Sequence, residues 1–232
     1  MKVAIFTLTR ERLEYTKKCF QSLWDRAGMD YDHYVVDNGS QDDTPEWLNV
    51  NLGKFQWLKL LPENKGIGVS GNMALDAICE KDYDLVVKFD NDCWVDSENM
   101  LPQICEVYED AISRNYGPEY ILSPFVGGLS KQPTRHKYIK FANKKIGITS
   151  MVGGIFQVVP GGVYKRDGYR YKTTLPKARG YDSHICDWFN RCGGNCGYIE
   201  GLRVDHYDTT DGQAAKYPEY FKRKREEENA QP

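Results

Sequence analysis

The sequence predicts an α/β fold with a mostly parallel sheet and helices on both of its faces. Three observations carry that expectation. Over the first hundred residues, apolar runs of strand length alternate with helical patterns. Each run ends in polar, turn-forming residues, as strands do where they deliver side chains to a crevice. A chain of 232 residues is also long enough to bury a sizeable core without disulfides or a structural metal.

The elements follow in order. Residues 2–8 form an apolar strand, and residues 13–23 place Leu13, Cys19, Phe20 and Leu23 on one helical face. A second strand at 31–36 runs into the turn-rich Asp37-Asn38-Gly39-Ser40. Asp42-Asp43-Thr44-Pro45 opens a short helix, with an acidic or Thr cap and Pro in the first turn. A third strand at 55–61, a helix at 66–79 entered through a glycine-bearing loop, and a fourth strand at 84–89 complete the alternation. The second half is less regular. It holds a helix at 100–116, strands at 120–123 and 156–159, a helix at 182–192 and a strand at 197–205. Residues 221–229 are a charge run, read as a solvated helix end or a disordered tail.

Composition narrows the class. No apolar run approaches the ~18–20 residues that cross a bilayer, and the short apolar start turns polar too early for a signal peptide. A cytoplasmic protein is expected. Seven cysteines, an odd number without a secretory signal, read as reduced thiols. Cys186, Cys192 and Cys196 near His184 lack the paired short repeats of a structural zinc site.

The densest chemistry is Asp90-Asn91-Asp92, directly after the fourth strand. Two carboxylates at a strand end suit a hard divalent cation that also holds substrate phosphates. Such a cation offsets charge building on a departing phosphate. The same three residues are also ordinary turn chemistry.

The other strand ends decide between these readings. Residues 3–10 with Leu13 and Cys19, residues 35–44, the loop 63–72 and Asp90-Asn91-Asp92 occur in order. Together they resemble the nucleotide-binding half of the family 2 glycosyltransferases. The resemblance implies a Rossmann-like fold of the GT-A type. It implies one domain over 1–232: a nucleotide-sugar donor half at 1–100, a smaller acceptor and catalytic half at 101–215, and a charged tail at 216–232. It further implies an enzyme that moves a hexosyl or pentosyl group from a nucleotide diphosphate sugar, with Mn²⁺ or Mg²⁺. Thr7, Thr9 and Arg10 would line the donor pocket, and Asp37 would accept a hydrogen bond from base or ribose. Asn64, Gly66, Asn72 and Asn91 would lie against the rest of the donor. Asp92 would ligate the metal, with Asp90 on ribose or metal.

Downstream, Gly180-Tyr181-Asp182-Ser183-His184 resembles the family's acidic pair and following helix, with Tyr181 and His184 replacing the usual acids. Asp182 matches the general base of inverting members, although an acid opening a helix also complements the helix dipole. His206 resembles the late histidine that completes metal coordination; a surface histidine at a strand end is the plainer alternative.

Between residues 131 and 179, twelve Lys and Arg face one Asp, a net charge of +11 that leaves −13 elsewhere. Tyrosines and a phenylalanine interleave with these bases, and the excess favours an anionic acceptor. A phosphorylated glycan, a lipid phosphate reached by peripheral membrane contact, and a nucleic acid all qualify. Some of these cations would alternatively grip the donor diphosphate. Two rival readings remain. A nucleotidyltransferase would carry a Gly-rich basic loop after the first strand, which Thr7-Leu8-Thr9-Arg10 is not. A catalytically inactive module binding glycan or nucleic acid would explain the basic segment but not the retained aspartates.

Overall fold

Val3–Thr9 (β1) enters the fold as an apolar strand, followed by Leu13–Arg26 (α1), Asp32–Asp37 (β2), Thr44–Val50 (α2), Trp57–Leu60 (β3), Ile67–Cys79 (α3) and Leu85–Phe89 (β4). The chain continues through Cys93–Val95 (β5), Met100–Ser113 (α4), Tyr120–Gly127 (β6), Lys137–Phe141 (β7), Lys144–Thr149 (β8) and Phe156–Pro160 (β9). Gly161–Lys165 (α5), Tyr181–Arg191 (α6), Asn195–His206 (β10), Thr210–Lys216 (α7) and Pro218–Asn229 (α8) complete it. This computed structural model describes residues 1–116, 120–128, 134–174, 181–207 and 210–229.

One mixed sheet runs in the order β3-β2-β1-β4-β9-β6-β10-β8-β7, with β5 against β10. The first four strands are parallel, with Thr9 beside Asp37 and Phe6 beside Lys88. β9 enters antiparallel to β4 and sets Gln157 beside Lys88. The expected α/β architecture is therefore present, with antiparallel strands concentrated in the second half. The β7–β8 hairpin was not anticipated, because its alternation is obscured by lysines on the outer strand.

Strand periodicity splits the core into two layers. Ile5, Val35 and Val87 point to one face with Phe20, Leu23, Ile104 and Tyr108. Phe6, Val36 and Val86 point to the other with Leu75, Tyr164 and Tyr198. Strands covered on both faces read as continuous apolar runs, which is why β1 and β4 were legible. Lys88 is the exception in β4, buried in the middle of the sheet.

His33 on β2 is fully enclosed, with its ring edge-on to Phe20 and Phe55 and its Nε2 3.1 Å from the Thr7 hydroxyl. Burial pushes its pKa down to about 3. A histidine depressed in the folded state protonates first in the unfolded chain, so stability is full above the unfolded value and falls as pH drops toward the folded one. From pH 6.5 to 4.5 the wild type should lose about 2.3 kcal/mol relative to H33Q, the slope approaching about 1.36 kcal/mol per pH unit at the acid end. Paired denaturant titrations across that range check this; parallel pH profiles would count against it.

Candidate active site

The carboxyl ends of β1, β2 and β4 converge as open sheets require. Thr9 ends β1 and donates its hydroxyl to Asp37 Oδ1 at 2.8 Å. Ser40 adds its backbone N–H at 2.9 Å and its hydroxyl at 2.5 Å. Burial raises the Asp37 carboxyl pKa even though these hydrogen bonds oppose the shift. The next loop is knitted to this one. Asn38 donates to Asn64 Oδ1 at 2.8 Å, and the same oxygen takes the Gly66 N–H at 2.9 Å. Gly66 has φ 82°, so a side chain there would be strained as α3 begins.

Asp90-Asn91-Asp92 follows β4 and is tied to two buried cations. Lys88 Nζ donates to Asp90 Oδ1 at 2.6 Å. Arg12 Nη1 donates to Asp92 Oδ2 at 2.8 Å, and Arg12 Nη2 reaches Asn91 Oδ1 at 3.3 Å. Arg12 is delivered by a backbone turn in which Glu11 and Arg12 both take left-handed φ values, 52° and 58°. Such strain persists where neighbours over-determine the position. Here Arg223 holds Glu11, and Asp92 and Gln213 hold Arg12. Burial would raise the Asp92 pKa, but Arg12 and His206 outweigh it and hold the carboxyl well below its usual range. Burial and the neighbouring Asp92 and Asp182 raise that of Asp90, against the pull of Lys88.

These strand ends enclose a cavity of about 280 Å³, lined by Thr9, Arg10, Arg12, Asn38, Asn64, Lys88, Asp90, Asn91 and Asp92. Tyr181 and Asp182 at the start of α6 close one side. Asp182 Oδ1 lies 3.8 Å from Lys88 Nζ, so the aspartate singled out as a base shares its lysine with the carboxylate pair. A larger hollow of about 510 Å³ lies beside Met1, Asp84 and Pro160, at the opposite end of β1 and β4.

The charge run at the chain end is helical, with Lys222, Arg225 and Glu226 exposed to solvent and its other face turned to the site. As α8 it packs over the cavity, which Tyr220, Lys224 and Glu227 help to line. Glu227 accepts hydrogen bonds from Arg10 at 2.5 Å and Asn64 at 2.6 Å. The Tyr220 ring lies 4.8 Å from the Arg12 guanidinium. On α7, Gln213 Oε1 accepts from Arg12 at 2.6 Å and its Nε2 reaches Asp92 at 3.3 Å. The run of charges concealed this packing because its contacts are polar and distant in sequence.

Several sequence-derived assignments change with the geometry. Thr7 is enclosed in the core against His33 rather than facing the cavity. The Asn72 amide is spent on Tyr171, donating to its carbonyl at 2.9 Å and accepting its N–H at 2.8 Å. Asn72 therefore pins the segment at Tyr171 to α3, away from the cavity lining. Asn91 lines the cavity but turns its amide nitrogen inward to Thr16 at 2.9 Å. His184 takes part in a 2.9 Å hydrogen bond with the Tyr169 hydroxyl. The basic segment is partly neutralised: Lys145 pairs with Glu200, Lys165 with Asp82, Arg166 with Asp167 and Arg170 with Asp76. Lys131, Lys177, Arg179 and Gly180 lie outside the described residues. All seven cysteines are free thiols.

For the expected cation, Asp92 Oδ2 and His206 Nε2 stand 3.5 Å apart, an oxygen and an imidazole nitrogen of the kind Mn²⁺ accepts. Among the described residues no three His, Cys, Asp or Glu side chains are grouped to hold an ion alone. The residues therefore fit an ion shared with substrate phosphates, the usual arrangement for Mg²⁺-like ions, rather than a protein-only cage.

Arg12, Lys88, Gln213, Tyr220, Lys224 and Glu227 were missed from sequence. Only Lys88 left a usable signal: a lysine in a strand otherwise apolar throughout is buried, and a buried lysine needs an acidic partner.

A parallel sheet ending in paired carboxylates over a polar cavity is the architecture of GT-A glycosyltransferases. The chain belongs to glycosyl transferase family 2, whose family model matches residues 4–169. Asp182, His206 and α8 lie beyond the matched segment. No curated protein sequence matches the chain. Among solved structures, S. aureus TarS 1–349 in complex with UDP-GlcNAc superposes with a TM-score of 0.66 at 12% identity, covering 90% of this chain and 60% of that one. GalNAc-T7 with UDP, GalNAc and Mn²⁺ gives 0.66 at 13% identity, covering 89% and 44%. The mannosyltransferase PcManGT from Pyrobaculum calidifontis, with GDP-Man and Mn²⁺, gives 0.64 at 14% identity, covering 93% and 59%. The chain thus spans 44–60% of these neighbours' lengths, and at such identities the likeness establishes the fold. Among the described residues, no helix is long and apolar enough to cross a membrane.

Proposed function

We propose that this chain is a metal-dependent, inverting glycosyltransferase that moves a sugar from a nucleotide diphosphate donor to an acceptor hydroxyl. The observation that carries the reading is the convergence of Asp90, Asp92 and Asp182 on one cavity at the strand ends. Family membership and neighbours bound to UDP-GlcNAc or to GDP-Man and Mn²⁺ support it.

Thr9, Asn38 and Asn64 form the nucleoside side of the cavity, with Asp37 behind Thr9, and Arg10 faces the diphosphate. Mn²⁺ or Mg²⁺ held by Asp92 with His206, and by Asp90 or the ribose beside it, would supply Lewis-acid neutralisation of the leaving diphosphate. Arg12 keeps Asp92 ionised and ready for that charge. Asp182 stands across the cavity, where it accepts the proton of the acceptor hydroxyl as that oxygen attacks the anomeric carbon. Attack from the side opposite the leaving group inverts the centre in a single displacement. The donor half spans residues 1–100, the acceptor half 101–215, and the cytoplasm with its reduced thiols is the compartment.

The acceptor is anionic in this reading. From Thr134 to Thr149 the chain carries five Lys and Arg and no acid, and Lys137, Tyr138 and Lys140 are exposed on β7. Arg135 lies 5.8 Å over the Tyr198 ring, whose hydroxyl takes the Gly153 N–H at 3.2 Å, one residue from the backbone beneath Asp182.

Thermal denaturation with UDP, GDP and their sugars, with and without Mn²⁺, tests the donor site. A nucleotide at a hundredfold excess over its Kd should stabilise the fold by about 2.7 kcal/mol, and only with the metal. E227A should enlarge the shift, because it frees Arg10 and Asn64 and removes an anion from a site meant for phosphates. A folded protein unmoved by every nucleotide would favour the inactive binding module.

A further inference from the structure

Asp182 is exposed on one flank, and at the opening of a helix its carboxylate could point several ways. Two features fix it. The carboxylate rests on the bare α-carbon of Gly154: a β-carbon at Gly154 would lie 1.9 Å from Asp182 Oδ1, and its three nearest neighbours would all be Asp182 side-chain atoms. Beside it stands the buried ammonium of Lys88, which donates two hydrogen bonds and faces the Asp182 carboxylate as an ion pair. The hydrogen bonds go to Asp90 Oδ1 at 2.6 Å and the Gly154 carbonyl at 2.8 Å, and Asp182 Oδ1 lies 3.8 Å from the same nitrogen. Asp90 N–H also donates to the Ile155 carbonyl at 2.9 Å, which locks the end of β4 to the turn carrying Gly154.

We propose that Lys88 and Gly154 form a seat that positions Asp182 for proton abstraction, with Lys88 offsetting the repulsion between two carboxylates aimed into one cavity. The proposal rests on the reading of Asp182 as the base. Like charges at close range drive each other apart or take up a proton. A cation between Asp90 and Asp182 lets both remain at the cavity. The missing side chain at Gly154 leaves the space that one of them occupies. Lys88 and Gly154 are therefore positioning residues, acting through Asp182.

The test measures release of UDP and GDP from UDP-GlcNAc and GDP-mannose with Mn²⁺, alongside the thermal shift given by UDP and GDP. In Gly154→Ala the three atoms nearest the new methyl all belong to the Asp182 carboxylate, which is partly exposed and has room to move, so the fold should survive. Its kcat should drop by about a hundredfold, the low end of what a base contributes, while donor KM and nucleotide shift stay at wild-type values. The double variant G154A/D182N should be no slower than D182N, because a displaced base and an absent one are equivalent. K88R, which keeps the cation, should retain more of kcat than K88M. Wild-type turnover in G154A, or additive losses in the double variant, would overturn the seat while leaving the glycosyltransferase reading intact. A wild type with neither nucleotide shift nor nucleotide release overturns that reading, and the seat with it.

Discussion

Asp182→Asn should slow sugar transfer by about 10²–10⁴-fold, the usual contribution of a positioned general base, and leave nucleotide binding where it is. Asn keeps the shape that fills the space on Gly154 but cannot take a proton. An acceptor hydroxyl is a poor nucleophile until its proton leaves, so the loss falls on kcat rather than on donor KM. Asp182→Glu should recover little, since one added methylene moves the carboxylate from the space that Gly154 leaves for it. Steady-state kinetics with each variant, and calorimetry with the nucleotide alone, separate the two effects. An Asn variant that turns over normally would remove Asp182 from the reaction and leave the opening of α6 as a helix cap.

The strands of the first hundred residues and the carboxylates at their ends were legible because their signals are local. β1 and β4 are apolar throughout, and Asp90 and Asp92 stand two residues apart at the end of one strand. Thr7 and Thr9 look alike in sequence, yet register alone decides their fates: Thr9 meets Asp37 at the crevice, whereas Thr7 lies deeper, against His33. Asn72 failed for a related reason. Its partner is the backbone of Tyr171, 99 residues away, and no pattern around Asn72 announces it. α8 was illegible in kind rather than degree. A helix bound by Glu227 to Arg10 and Asn64, and by Arg223 to Glu11, shows no apolar stripe to read. Its charges match the cavity only once the fold has brought the two ends of the chain together. The basic segment erred in the opposite direction: counting charges along the chain could not show that Asp76, Asp82 and Glu200 would meet Arg170, Lys165 and Lys145.

The same long-range pairing makes the stability of the site testable through Arg12 and Asp92. Both side chains are largely withdrawn from solvent, and their hydrogen bond is 2.8 Å long. Removing one partner of such a pair strands a charge, so Asp92→Ala should destabilise the fold by about 3–5 kcal/mol. Replacing both with apolar groups, as in R12M/D92L, should cost much less than the sum of the single changes. The pH dependence separates this ion pair from simple packing. Asp92 is held below its unfolded value, so its contribution is complete above that value and is lost as pH falls toward the folded one. The gap in unfolding free energy between wild type and D92A should thus stay constant from pH 7 to 5. Below about pH 4 it should narrow by about 1.4 kcal/mol per unit. Urea denaturation of the four proteins of the cycle at each pH measures this. Additive single effects, or a gap that ignores pH, would mean that Arg12 and Asp92 are neighbours without being partners. A coupled pair would instead make Arg12 the group that keeps Asp92 ionised in a buried site until donor phosphates and metal arrive.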